Sequence, residues 1–143
     1  MTAIQISVFL ENKSGRLAEV TKALAEAGVN IRALSLVETI DYGVLRLIVD
    51  DPPAAKKALS GAGFTVTETP VIAVGMPDKP GALAEIVGLL TRRGINVEYC
   101  YAFVGKSGEN AVVIFRIDAI DAALKVLQEG GVKVLSSAEV SGV

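Results

Sequence analysis

Apolar and polar residues alternate from Ile4 to Leu10, with Ile4, Ile6 and Val8 on one face, and a period of two predicts a strand. After the polar loop Glu11 to Ser14 the period changes. Leu17, Val20, Thr21 and Leu24 recur at helical spacing, and Gly28 is placed to stop that helix in a left-handed turn. Period two returns from Ile31 to Thr39, with Ala33, Ser35 and Val37 on one side and Leu34 and Leu36 on the other. The stretch Ile40 to Gly43 reads as a hairpin turn into a strand from Val44 to Val49. Pro52 and Pro53 open a second helix with Ala55, Ala58, Leu59 and Ala62 inward, and Gly63 closes it before a strand from Phe64 to Thr69.

The same order then recurs. Val71 to Gly75 reads as a strand, and Leu83, Ile86, Val87 and Leu90 line a helix ended by Gly94. Ile95 to Val104 and Ala111 to Ile117 form a hairpin about GKSGEN; Ile120, Ala123, Leu124 and Leu127 line a further helix, stopped at Gly130-Gly131 before a strand beginning at Val132. NKSGRLAEVTKALAEAGVN (12–30) and DKPGALAEIVGLLTRRGIN (78–96) agree at 8 of 19 positions at an offset of 66 residues. Chance residue usage gives about one agreement, so the chain is a duplication. Each half, 1–69 and 70–143, is a β-α-β-β-α-β unit, which predicts an α+β fold of two ferredoxin-like repeats. In each, an antiparallel sheet carries both helices on one face. Pro70 joins the halves without a flexible linker.

Composition narrows the classes. The chain is 51% apolar and 21% charged, which is globular, and its net charge is −2 with the two signs interspersed. No basic stripe favours nucleic acid, and no apolar run is long enough for a bilayer. A mean hydropathy of +0.49 is high for 143 residues and points to an interface between halves or subunits, hence to a homodimer. One cysteine and no histidine exclude an internal disulfide and any histidine-based metal site. The N-terminus has no charged segment followed by an apolar one, so a cytoplasmic protein is expected.

The repeated phrase carries the candidate chemistry. Its loops, Asn12 to Gly15 and Asp78 to Gly81, sit at helix N-termini, where unpartnered N–H groups suit a carboxylate. Gly15 and Gly81 remove a Cβ where a ligand would approach. Asn12 and Asp78 offer an oxygen to an ammonium group. Asn30 and Asn96 follow eighteen residues later, beyond the far end of the helix, and reach such a loop only if a neighbouring repeat brings its own across. The plainer reading is that Asn12 and Asp78 cap helices, Pro80 opens a first turn, and Asn30 and Asn96 are turn residues.

A polar residue, Lys-Ser-Gly or Lys-Pro-Gly, a leucine two positions on, a helix closed by Gly, and then Val-Asn-Ile or Ile-Asn-Val resembles the signature of ACT domains. These are small regulatory modules that bind amino acids. The resemblance covers essentially the whole chain as two tandem copies, and implies copies paired edge to edge in an eight-stranded sheet with amino acids at the interface. It implies a ligand set of Asn12, Gly15, Arg16, Leu17, Asn30 and Ile31 in the first copy, and Asp78, Gly81, Ala82, Leu83, Asn96 and Val97 in the second. Ile31 and Val97 would line the interface strand. One branch of the family carries a histidine two residues before the loop polar residue. Leu10 and Met76 stand there instead and suit an apolar or aromatic amino acid better than a hydroxyl-bearing one. Because Asp78 is charged and Asn12 is not, two sites of unequal affinity are expected.

The resulting expectation is a regulatory module without cofactor or catalytic group, sensing an amino acid and acting on a separate enzyme partner. A scaffold without ligand is the alternative. Tyr99, Tyr101 and Phe103 alternate on one strand face, as bases' stacking partners do in RNA-binding sheets, but the basic glycine-aromatic motif is missing. Cys100 reads as a buried structural thiol, and Lys13, Arg16, Lys79, Arg92 and Arg93 as solvated charge. No nucleophile, base and orienting group stand at a recognisable spacing, which argues against an enzyme.

Overall fold

The alternation at the start of the chain forms β1 (Ala3–Glu11), in which Ile6, Val8 and Leu10 are buried. The computed structural model describes residues 2–104 and 110–142. After β1 come α1 (Arg16–Glu26), β2 (Ile31–Glu38), β3 (Tyr42–Val49) and α2 (Pro52–Gly61). Then follow β4 (Thr65–Pro77), α3 (Ala82–Arg92), β5 (Tyr99–Val104), β6 (Asn110–Arg116), α4 (Ile120–Glu129), β7 (Lys133–Leu135) and α5 (Ser137–Gly142). The fold is α+β, with the β-α-β-β-α-β order present twice. The eight expected strands become seven because the predicted strands 64–69 and 71–75 are one continuous strand, β4, running through Pro70.

The chain divides into two compact units, residues 4–69 and residues 70–141, with Thr2 and Ala3 grouped with the latter. In the first unit the strand order is β2-β3-β1-β4, with β2 antiparallel to β3 and β3 antiparallel to β1. Ile6, Val8, Leu10, Leu45, Leu47 and Val49 turn to one face, where they pack with Val20 and Leu24 of α1 and Ala55 and Leu59 of α2. Fully burying each of the valine, leucine and isoleucine side chains stabilises by about 1.5–3 kcal/mol. The Asp51 side chain caps α2 by accepting from the Ala54 amide at 3.1 Å, and two prolines at its start need no donor partner. Ala62, predicted inward, lies past the end of α2 and is exposed.

The second unit repeats the order as β5-β6-β4-β7, all antiparallel. Ile72, Val74, Met76, Val113 and Phe115 pack with Ile86 and Leu90 of α3 and Ala123 and Leu127 of α4. The predicted strand from Ile95 begins only at Tyr99. Its partner β6 ends at Arg116, directly opposite Tyr99, and beyond that only the Glu98 amide still donates to the Arg116 carbonyl, at 2.9 Å. The GKSGEN turn lies, except for Asn110, outside the described residues. The last strand is three residues long and gives way to α5, which the hydrophobic pattern missed. Ser136 and Glu139 form its capping box: the Glu139 amide donates to Ser136 Oγ at 3.1 Å and the Ser136 amide to Glu139 Oε1 at 3.1 Å. Gly28 and Gly94 follow their helices at φ 71° and 69°, the predicted left-handed stops.

Candidate functional site

Both β-strand-to-helix loops turn on a glycine. Gly15 sits at the N-cap of α1 with φ 91° and ψ −18°, and Gly81 at that of α3 with φ 89° and ψ −14°. An added Cβ would meet nothing within 4 Å at either position, so the chain itself demands glycine for conformation and not for space. Neither helix has a side-chain cap, which removes the plain reading of Asn12 and Asp78. The Arg16 amide donates to the Lys13 carbonyl at 3.4 Å and the Ala82 amide to the Lys79 carbonyl at 3.3 Å; the first intrahelical bonds run from Glu19 to Gly15 and from Glu85 to Gly81. The amides between them, of Leu17 and Ala18 and of Leu83 and Ala84, belong to the first turn that has no intrahelical acceptor. Leu17 and Leu83 stand 41% and 43% exposed beside them.

Asn12 does something else. Its Nδ2 donates to the carbonyls of Thr39 at 3.1 Å and Ile40 at 3.3 Å and to Glu38 Oε2 at 3.3 Å, and its backbone amide donates to the Asp41 carbonyl at 2.8 Å. Three acceptors around one nitrogen fix which way the amide faces, and leave Oδ1 as the acceptor on offer. The loop is thereby tied to the β2–β3 turn, which Thr39 tightens by accepting from and donating to Tyr42. Glu38, Thr39 and Ile40 are residues that sequence reasoning missed. They lie some 26 to 28 positions away, and only the Glu11–Tyr42 strand register brings them close. Asp78 is exposed, and residues 105–109, the sequence counterpart of the stretch that Asn12 binds, lie outside the described residues.

Arg16 is not a free surface charge. Nη1 meets Glu19 Oε2 at 2.9 Å and Nη2 meets Glu11 Oε1 at 3.2 Å, while Lys13 reaches Glu11 Oε2 at 3.3 Å. Lys13, with help from Arg16, holds the Glu11 carboxyl below its ordinary range, and Glu19 raises the Arg16 guanidinium. These groups are solvated, so they set local charge and contribute little stability. The pairs occupy both terminal nitrogens of the Arg16 guanidinium and its amide already donates to the Lys13 carbonyl, so the amides left for an incoming carboxylate are those of Leu17 and Ala18. Ala82, in the equivalent position, is buried in the core.

Asn30 and Asn96 are exposed at the far ends of α1 and α3. The Asn30 amide donates to Asp50 Oδ1 at 2.9 Å and its carbonyl accepts from the Asp50 amide at 3.1 Å, which leaves the side chain outward. Eleven helical residues separate each Asn from its own loop, about 16 Å. Ile31 and Val97 are half-buried against the cores of their own units. Leu10 and Met76, expected beside a ligand, are 4% and 5% exposed and belong to those cores, so they say nothing of the ligand's side chain.

Other features lie elsewhere. Cys100 is exposed, against expectation. It faces Phe115 across the ladder, yet β5 is at the end of its row of strands, where an inward-facing position is no longer covered. Tyr99 and Tyr101 are half-buried, and the side chain of Phe103 is outside the described residues. A shallow cavity of about 250 Å³ lies against Leu89, Arg92, Arg93, Val126, Glu129 and Gly130 and includes none of the predicted ligand set. Arg93 and Glu129, which line it, approach to 3.9 Å. Among the described residues no group of three or more acidic, cysteine or histidine side chains could hold a metal, and no helix is long and apolar enough to cross a membrane.

The family model for an ACT domain pair matches residues 1–142. Protein BT0572 from Bacteroides thetaiotaomicron shares 42% identity over 100% of this chain and 98% of its own, with a TM-score of 0.95. The ligand-free regulatory subunit of aspartate kinase from Thermus thermophilus is similar at 20% identity, over 88% of this chain and 90% of its own, with a TM-score of 0.59. The corresponding subunit from Thermus flavus gives 18% identity, 90% and 92% coverage, and a TM-score of 0.59. At these identities the two aspartate kinase subunits show a shared fold. No curated protein matches the chain.

Proposed function

We propose a function for this chain on one premise: it belongs to the ACT domain family, as a pair of such domains. The protein binds a free amino acid and, through it, regulates a separate partner, with 1–69 and 70–143 as the two binding repeats. The observation that carries this reading is the doubled loop. Each of two helices starts on a left-handed glycine without a side-chain cap and presents first-turn amides beside an exposed leucine. Such a terminus suits a carboxylate. Asn12 Oδ1 in one repeat and the Asp78 carboxylate in the other are the acceptors for the ammonium group, and Leu17 and Leu83 offer apolar contact. Asn30 and Asn96 complete a site only where another repeat's loop comes to them.

Its fold likeness to a regulatory subunit of aspartate kinase fits action on a partner enzyme rather than catalysis. Because an ion pair outweighs a neutral hydrogen bond to ammonium, the Asp78 site binds more tightly than the Asn12 site.

Thermal unfolding of the pure protein against each of the twenty amino acids, followed by calorimetry on any hit, tests the proposal. Ligand at 100 times its Kd adds about 2.7 kcal/mol. One chemical class is expected to raise Tm and to lose that effect in Asn12→Ala or Asp78→Ala. No shift with any amino acid at millimolar concentration refutes the assignment, and equal, independent binding at both sites refutes the ranking.

A further inference from the structure

The shallow cavity at the carboxyl ends of α3 and α4 departs from the plan that the two repeats share. Buried positions beside it are the same in both: Leu24 and Leu90, Leu59 and Leu127, Ala55 and Ala123. The positions that line it all differ. α3 and its C-cap supply Leu89, Arg92 and Arg93 where α1 and its C-cap carry Ala23, Glu26 and Ala27, 66 residues earlier. α4 and its C-cap supply Val126, Glu129 and Gly130 where the first repeat has Ala58, Gly61 and Ala62, 68 residues earlier.

Space, not conformation, calls for glycine at 130. Its backbone, φ −80° and ψ 2°, is open to any residue, and Ala62 holds the same conformation at φ −85° and ψ 3°. A Cβ on Gly130 would stand 2.7 Å from Leu89 Cδ1, whereas the first repeat has the short Ala23 in the place of that leucine. The glycine thus lets Leu89 and Val126 form a half-buried apolar floor.

The rim of that floor is cationic. Among the described residues Arg92 makes no salt bridge, and Arg93 meets Glu129 only at 3.9 Å, with both side chains more than half exposed. Two arginines and a glutamate leave one positive charge on the lining, where the first repeat has the single negative charge of Glu26. A basic last turn also suits the dipole of α3, but that role requires neither the apolar floor nor Gly130.

From these we propose that the α3–α4 groove docks a short helical segment of a separate protein, one that carries a large apolar side chain and a carboxylate a helical turn apart. Leu89 precedes Arg92 and Arg93 by one turn, about 5 Å along the axis, which sets that spacing. The apolar side chain rests on Leu89 and Val126, and the carboxylate accepts a charge-assisted hydrogen bond from Arg92. A volume of about 250 Å³ lies below the roughly 300–1,000 Å³ of pockets that enclose free metabolites, and a shallow floor suits one anchoring side chain instead. The docking stands on the groove alone; that the docked protein is the one regulated through an amino acid rests on the proposed function.

Nitrogen–proton NMR of the full chain tests the docking, with two helix-forming peptides as probes, their leucine and glutamate set three or four positions apart. At millimolar concentration these peptides are expected to shift the amides of Leu89, Arg92, Val126 and Gly130 and to leave those of Ala23, Glu26 and Ala58 in place. Twins with lysine for glutamate shift neither set. Arg92→Gln weakens binding by about tenfold, and Gly130→Ala weakens it by displacing Leu89. Glu129→Gln strengthens it, because a like charge is removed and Arg93 released. Circular dichroism checks each fold, and a merely destabilised protein would not bind more tightly in any variant. No shift with either acidic peptide, shifts confined to other residues, or binding indifferent to Arg92 and Glu129 overturns the proposal. So does equal affinity for 4-methylpentanoate, which carries the same two groups without a peptide and would mark a metabolite pocket. Docking with no effect of any amino acid on Tm leaves the groove standing and refutes only the ligand assignment.

Discussion

Changing Gly81 to alanine separates two accounts of the repeated glycine. At φ 89° an L-residue costs roughly 1–2 kcal/mol, and the new methyl meets nothing within 4 Å, so no clash adds to that cost. Gly88, in the middle of α3, is the internal control. Its added Cβ also meets nothing within 4 Å, but its backbone is helical, where alanine gains about 0.5–1 kcal/mol over glycine. The two single-methyl changes therefore move stability in opposite directions, about 1.5–3 kcal/mol apart. With a urea m-value of about 1–3 kcal/mol/M, the unfolding midpoints separate on the order of 1 M. Gly81→Asn is expected between Gly81→Ala and the wild type, because asparagine tolerates the left-handed region. Urea titration followed by circular dichroism reads all three. A neutral Gly81→Ala, or both alanine variants shifting together, refutes the claim that conformation fixes this glycine.

Asn12→Ala removes three exposed side-chain hydrogen bonds and is expected to cost no more than about 1 kcal/mol of stability, while loosening the 39–41 turn. Proton NMR of the Thr39 to Tyr42 amides checks this, and unchanged shifts refute the tie. Glu139 is held below its ordinary range, first by the Ser136 amide and then by the Ser136 hydroxyl. Its contribution to α5 is present above the ordinary glutamate value and is lost as pH falls through the depressed one. Protection of the Ser136 and Glu139 amides, taken as exchange relative to the intrinsic rate at each pH, should fall in acid in the wild type, and Glu139→Gln should show no such fall. Cys100 is exposed and should react with a thiol reagent in the folded protein without denaturant; a lag until unfolding contradicts its position on β5.

Most of the fold was legible because local signals and the repeat agreed. Periods of two and 3.6 marked β1, α1 and their counterparts, and glycines at fixed places marked the helix ends. The errors fell where tertiary pairing decides. Residues 95–98 have a strand-like pattern, but β6 ends at Arg116 and leaves them without a ladder. Cys100 has an inward-facing register yet lies beyond the cover of the helices, which a period-two pattern cannot distinguish from a buried position. α5 had a readable signal in Ser136-Ser-Ala-Glu139, too short for hydrophobic periodicity to register. At the candidate site the glycines and amides were readable, but the partners of Asn12 were not, because a contact across 26 to 28 positions depends on strand register.

The three acceptors around Asn12 Nδ2 carry a chemical consequence of their own. Hydrolysis of that amide to a carboxylate would exchange a donor for an acceptor and point negative charge at two carbonyls and a glutamate. The second repeat already carries the product of such a change, since Asp78 is what Asn12 would become. Protein aged at alkaline pH would therefore drift toward two loops that both carry an aspartate at this position, with only Ser14 and Pro80 still telling the two four-residue turns apart.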